Sequence, residues 1–448
     1  MQFKPGIVAA LLVASAGCVG SASADDWPQW LGPQRDSVWR ETGIIEKFPD
    51  EGPAVLWRAQ VGGGYSGPVV AKGRVYLTDR ELASGTTNPS DPFKRGIIPG
   101  SERVLCFDER TGKSLWQHKY ECPYSISYAA GPRAAPLASE GKVFTLGAEG
   151  NLLCLDTDSG KVVWERDFKK EFNARTPIWG FSGQLLLEGD RIFALAGGEN
   201  ATVVALDRNS GKEIWRALNA KEPGYSSPIV FAAGGKRQLI IWDPESANGL
   251  APETGKVLWS EPFPAKSGMS IATPRQMGDK LLFTSFYNGS MMMKMDGVKP
   301  EVLWRTQKAS EKETTHLNAV MCTPFLEGDY IYGVCSYGQL RCLNAQTGER
   351  IWETFKATTD GQPVRWANAF IVRNGERFFL ANEKGDLIIA KLSPKGYEEI
   401  SRAHLLEPTN PDPGRSVVWS HPAFANRHVY ARNDKELIAV DLAASSKP

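Results

Sequence analysis

The sequence predicts an all-β fold, an eight-bladed β-propeller with tryptophan-docking repeats, and three observations predict it. A twelve-residue pattern recurs along the chain: LCFDERTGKSLW at Leu105–Trp116, LCLDTDSGKVVW at Leu153–Trp164, VALDRNSGKEIW at Val204–Trp215 and RCLNAQTGERIW at Arg341–Trp352, with degenerate copies at Asn248–Trp259 and Met293–Trp304. Short-strand repeats with a period of roughly 45–50 residues mark a propeller or a solenoid. The chain, at 448 residues, is longer than one compact core of about 250–300 residues, and no linker-like change of composition divides it. Its two ends also complement each other. Leu437–Asp441 (LIAVD) reads as a third strand ending in the motif Asp with no fourth strand after it, while Trp57 closes a fourth-strand pattern (VLW) that no motif precedes. Pairing those segments closes a ring and removes the exposed edges of an open sheet.

In chain order, residues 1–24 read as an export signal: Lys4, the apolar run Ile7–Val19, and the small residues Ala22-Ser23-Ala24 before Asp25. That run is too short to span a bilayer, and no later one is long enough. Cleavage leaves an extracytoplasmic protein, periplasmic or secreted. Lipid anchoring through Cys18 is the competing reading, disfavoured because Ser15 stands where such a signal wants an aliphatic residue. Residues 25–54 form an N-terminal arm. Its WPQWLGPQRDSVW run is too irregular for a helix or a long strand, and its aromatics are expected to pin it to the body.

The propeller occupies 55–442, and 443–448 is a short tail. Each repeat opens with two short apolar strands around a Gly-containing turn, such as SGPVVAKGRVYL at Ser66–Leu77. The third strand leads to the motif Asp and the fourth carries the Trp, giving the four antiparallel strands of a blade. In Asp108–Lys113 the carboxylate accepts from nearby backbone N–H groups and Gly112 supplies a positive φ, so the motif reads as turn chemistry rather than catalysis. Trp57, Trp116, Trp164, Trp215, Trp259, Trp304 and Trp352 are the expected docking residues, with Ile400 in that place in the seventh blade.

Other classes are excluded by what the chain lacks. A net charge of +1 leaves no basic footprint for nucleic acid. HExxH, P-loop, GxSxG and helix-opening GxGxxG motifs are absent. Six cysteines follow Cys18, without CxxC or zinc-type spacing. They read as small apolar packing; Cys335 and Cys342 flank a hairpin turn around Gly338 and are a candidate disulfide pair whose register the sequence leaves open. The chain reads as a monomer.

Function is expected where the repeat breaks, in the loops that gather on one face around the central funnel. Those loops place Arg133, Arg175, Trp179, Tyr225, His316, Asn318, Arg365, Trp366, Asn368, Trp419 and His421 as candidate ligand-binding residues. Tyr128, Glu149, Glu199, Tyr287, Asn288, Tyr337, Glu383 and Asp434 join them from the same face. Arg, His and aromatics together suit an anionic or planar ligand, or a peptide from a partner protein. The insertion Glu81–Glu102 lengthens one loop by roughly fifteen residues, a length typical of functional lids or of disordered segments, and offers Phe93, Lys94 and Arg95 if it folds over the funnel.

The D-x-x-[ST]-G-[KE]-x-x-W runs resemble those of PQQ-like eight-bladed propellers, a family that includes quinoprotein dehydrogenases and the outer-membrane assembly lipoprotein BamB. The likeness covers roughly residues 52–442, and with the DWPQW opening at Asp26–Trp30 it is closer to exported bacterial PQQ-binding-like repeat proteins. It implies either a non-catalytic module whose funnel face binds a partner or small ligand, or a dehydrogenase holding PQQ and Ca²⁺. For the second role the funnel loops offer Glu149, Glu199, Asn318, Asn368 and Glu383 as candidate oxygen donors, and Trp179, Trp366 or Trp419 to stack on a planar quinone. Against that role, the chain has no adjacent Cys-Cys pair, no CxxCH and no residue matching the family's catalytic Asp, so no catalytic residue is carried over.

Overall fold

The computed structural model describes residues 25–444 apart from 234, 297–298 and 308–309; the expected signal segment, Cys18 and the last four residues lie outside the described residues. Eight four-stranded antiparallel sheets and one two-stranded hairpin make up the β structure of the described residues. Seven blades are built from consecutive strands; blade 1, for example, comprises Val69–Ala71, Arg74–Leu82, Gly100–Asp108 and Ser114–Glu121. In the eighth, Val55–Gln60 pairs antiparallel with Glu436–Asp441, Trp57 lying opposite Ala439. The ring closes as its ends predict.

Six of the seven docking tryptophans bond to the next blade; the Trp259 indole instead donates to Gln238 of its own blade. The Trp57, Trp116, Trp164 and Trp215 indoles donate to the backbone carbonyls of Glu109, Thr157, Arg208 and Pro252 in the following blade, at 2.8–3.0 Å. The motif glycine does more than turn the chain. A Cβ on Gly112 would lie 2.6 Å from the Trp57 ring, and Gly160, Gly211 and Gly255 meet Trp116, Trp164 and Trp215 in the same way. The ring therefore rests on bare backbone. The motif carboxylates act as turn acceptors: Asp108 Oδ1 receives the Thr111 N–H at 2.9 Å, and Asp156 and Asp207 serve Ser159 and Ser210 likewise.

Ile400 does not take the tryptophan's place. In blade 1, Cys106 lies opposite Trp116 and Leu115 is the extra residue of a bulge; in blade 7, Ile389 lies opposite Ser401 and Ile400 is the bulge residue. Ser401 Oγ accepts the Phe48 N–H at 3.1 Å, and the buried Phe48 ring from the arm packs into the core shared by blades 7 and 8. Cys335 and Cys342 are both free and buried. They sit on opposite faces of blade 6, one packed with Leu317 and Ala319 and the other with Tyr332 and Leu380, so they have no route to a disulfide.

The arm reaches further than its aromatics suggest. Trp27 exchanges backbone hydrogen bonds with Val70 of blade 1, and Pro28 accepts from Ala138 of blade 2. The Trp30 indole donates to Thr273 Oγ1 at the start of blade 5 at 2.9 Å, Arg35 donates to Leu185 and Pro228 at the starts of blades 3 and 4, and Trp39 donates to Arg373 of blade 7. Contacts to inner strands on opposite sides of the ring mean that the arm crosses its axis. It continues over the turns at Asn374 and Arg427, so it closes the channel at the end away from the funnel loops.

Candidate binding funnel

Three segments roof the other end. The blade 1 insertion spans 83–99, since Leu82 already pairs with Gly100. It folds over the mouth: the Tyr128 N–H donates to Pro92 O at 2.6 Å, Ser127 Oγ to Phe93 O at 3.1 Å, and Ile98 bridges Tyr124. Arg80 anchors its base, donating to Ile98 O and Ala129 O at 2.7 Å each. The second segment is a hairpin, Asn410–Asp412 with Arg415–Val417, inserted before blade 8. The third precedes blade 6, where Glu311 pairs with Arg365 and accepts from the Tyr337 hydroxyl at 3.2 Å.

Aromatic rings join these segments. Phe93 stands edge-on to Tyr128 with centroids 5.1 Å apart and lies 5.7 Å from Trp366, while Tyr128 lies 5.9 Å from Trp419. Tyr128 (φ 54°) and Trp366 (φ 64°) both hold left-handed backbone, which bulky side chains rarely adopt. Below them Met269, Phe286 and Val320 form an apolar floor, against which Trp179, Ile271, Tyr287, Met321 and Trp366 pack half-buried.

The buried carboxylates of the roof are held by arginines. Arg415 pairs with Asp412, donates to Glu383 Oε1 at 2.8 Å and reaches Arg365 O at 2.9 Å. The Trp419 indole donates to Glu383 Oε2 at 3.0 Å. Burial pushes both the Glu383 and Asp412 carboxyls above their ordinary range, with Arg415 opposing. Tyr65 donates to Asn410 at 3.0 Å, and the Arg133 guanidinium lies over the Tyr65 ring while donating to Ser127 O and Tyr128 O.

The predicted residues separate into groups. Arg365, Trp366, Trp419, Trp179 and Tyr225 belong to the mouth, Trp179 and Tyr225 standing edge-to-face at 5.7 Å. Arg133 braces the Tyr128 loop from behind, and Arg175 is exposed on the same face. Asn318 and Asn368 are buried beneath; Asn318 Oδ1 and Asn368 Nδ2 have no hydrogen-bond partner. His316 is elsewhere, stacked on the docking Trp304 with ring planes 9° apart. His421 lies at the arm end, 4.4 Å from the Trp30 ring, and burial pushes it down to about 4. Tyr65, Glu311, Asp412 and Arg415 were not singled out by their sequence. For the last two the signal was Pro413-Gly414, a turn dipeptide between two short β-type runs.

Among the described residues no three His, Cys, Asp or Glu side chains are placed to share a metal ion. Glu149 is engaged by the Ser125 N–H, Lys169 and Thr176, Glu383 by Arg415 and Trp419, and Glu199 is exposed. A calcium ion needs six to eight converging oxygens. These residues do not fit a quinone–calcium pair.

A closed eight-bladed ring with inter-blade tryptophans and a roofed funnel defines a propeller of the PQQ-like repeat class. The chain belongs to the family described as "Outer membrane protein assembly factor BamB", which matches residues 100–354 and 301–448. It is similar to the factor of that name from Yersinia pestis, 25% identical over 272 residues that cover 59% of this chain and 64% of the relative, so the match spans less than two thirds of that protein. It is also 27% identical over 215 residues to a quinoprotein ethanol dehydrogenase from Pseudomonas aeruginosa, covering 45% of this chain and 34% of the relative. Among solved structures, BamB from Moraxella catarrhalis superposes with a TM-score of 0.53 at 16% identity, over 82% of this chain and 99% of that one, a likeness of fold. No helix among the described residues is long and apolar enough to cross a membrane.

Proposed function

We infer that this chain is an exported, non-catalytic propeller that works outside the cytoplasm as a binding scaffold, presenting its funnel face to a partner protein. One observation carries the reading: the carboxylates deep in the mouth are engaged by arginines, Glu383 and Asp412 by Arg415 and Glu311 by Arg365. A general base must be free to take a substrate proton, and a metal site must leave ligand oxygens unspent. What faces outward instead is aromatic and loop-borne, as at protein-binding surfaces. Membership of a family named for an assembly factor supports the same reading.

The purified protein is mixed with PQQ and Ca²⁺, and quinone absorbance and dye-linked ethanol oxidation are followed. The scaffold reading expects neither retained quinone nor turnover. Turnover that depends on both additions would replace it with the dehydrogenase reading.

A further inference from the structure

The outward surface of the roof has a chemistry of its own. Phe93 is 41% exposed and Ile97 82%, both on the blade 1 insertion. Trp179, Tyr287 and Trp366 lie half-exposed around the same opening over Met269, Phe286 and Val320. Four part-exposed rings joined in this way on loops mark an interaction site rather than chance exposure. The backbone supports it: Tyr128 and Trp366, the two residues flanking the Phe93 ring, both hold left-handed conformations that the surrounding structure must enforce.

Charge narrows the occupant. Around the rings stand Lys94, Arg95, Arg175 and Lys266, and among the described residues none of the four has a carboxylate within ion-pair distance. The Lys266 ammonium lies 4.9 Å from the Tyr287 ring centre, and Arg95 donates to Ser125 O at 3.0 Å. Carboxylates deeper in the mouth are already committed: Glu149 to Lys169, Glu311 to Arg365, Glu383 and Asp412 to Arg415. Two carboxylates share this face with the four cations, Asp91, which accepts the Phe93 N–H at 2.9 Å, and Glu222, so the rim is positive on balance. Free cations beside half-exposed rings complement a chain that alternates carboxylates with aromatic side chains.

We propose that the rim formed by Phe93, Trp179, Tyr287 and Trp366, with Lys94, Arg95, Arg175 and Lys266, docks an acidic, aromatic-bearing extended segment of a partner protein. This rests on the scaffold reading and names the partner's chemistry. Aromatic anchors seat between the rings, and the carboxylates set register and speed encounter without being buried.

The probe is a fluorescein-labelled peptide of alternating Glu and Phe, read by anisotropy against the same peptide with Lys for Glu. Saturable binding of the acidic peptide is expected, with at least tenfold weaker binding in the Arg95→Glu/Arg175→Glu variant and in Phe93→Ala, and weakening with added salt. Matched circular dichroism spectra and melting temperatures confirm that these surface variants fold. Equal binding of the Lys peptide, indifference to charge reversal, or sedimentation showing that the patch is covered by a second copy of this chain would each overturn the proposal. If the acidic peptide fails while a photo-crosslinker at position 93 still traps a partner whose attached segment is not acidic, the acidic chemistry falls and the scaffold reading stands. If both fail, both fall.

Discussion

The Tyr128 hydroxyl donates to Asp412 Oδ1 at 2.9 Å, joining the loop that follows blade 1 to the hairpin that precedes blade 8 across 284 residues of sequence. Both groups are buried, and the same tyrosine packs on Phe93 and Trp419. The bond is the clasp of the roof. Tyr128→Phe keeps the ring and leaves a buried carboxyl short of one donor, so a loss of about 2 kcal/mol in urea unfolding is expected. Faster protease cleavage within 405–418 should accompany it, and unchanged cleavage would mean that the hairpin is held by other contacts.

The motif glycine separates two effects that a sequence reading merges. Gly112 (φ 68°) lies under the Trp57 ring, whereas Gly73 (φ 75°) has a similar backbone and nothing within 4 Å of where a Cβ would stand. Gly73→Ala should cost about 1 kcal/mol from backbone strain alone. Gly112→Ala should cost about 2–3 kcal/mol more, because the indole must move off its neighbour. Chemical denaturation of the two variants measures the difference, and equal costs would show that docking contributes nothing at that position.

Blade 7 has no docking tryptophan on its outer strand. Phe48 of the arm fills that place, its N–H on Ser401 Oγ and its ring in the core beside Val372 and Ile389. Phe48→Ala should cost about 3–4 kcal/mol and speed amide exchange in 396–404 more than in 350–354, the matching strand of blade 6. Uniform acceleration would instead indicate that the ring unfolds as one unit.

Buried His421 makes stability depend on pH in a predictable direction. Burial pushes its imidazole down to about 4, from 6.5 when exposed. Between those values the unfolded chain binds the extra proton and the folded chain does not. The stability that neutral His421 contributes is therefore fully present above about pH 6.5 and lost as pH falls toward 4, a change of about 3 kcal/mol. Subtracting the unfolding free energies of His421→Gln from those of the unaltered protein over that range isolates the effect; a flat difference would contradict the burial of this ring.

The fold was legible because its signal is repeated. Six copies of one turn-and-Trp pattern, and two complementary half-blades, leave little room for another architecture. Ile400 was misplaced because a bulge puts two residues of the outer strand against one of its neighbour, and the pattern alone cannot say which of Ile400 and Ser401 lies opposite Ile389. Phe48, which completes that seam, sits in an arm with no periodicity to read.

The funnel was legible only in part. Trp366, Arg365 and Trp419 stand out as large residues in inter-blade loops, and the length of 83–99 marks an insertion over the funnel. His316 and His421 sit in loops of the same kind, but loop membership does not fix depth. One stacks on the outer Trp304, and the other packs against Trp30 where the arm closes the channel. Asp412 and Arg415 pair across a turn and then reach Tyr128 and Glu383, contacts that depend on how the ring brings distant loops together.

Site-specific photo-crosslinking tests the central claim most directly, that this propeller works by docking a partner on its funnel face. A benzophenone side chain replaces Phe93 in one variant and Ile214, an exposed residue on an outer strand, in another, each expressed in its native envelope and irradiated. One specific adduct is predicted from position 93, lost when Trp366→Ala and Arg95→Glu are added, and none from position 214. Adducts from position 214 alone, or the same adducts from both, would contradict it.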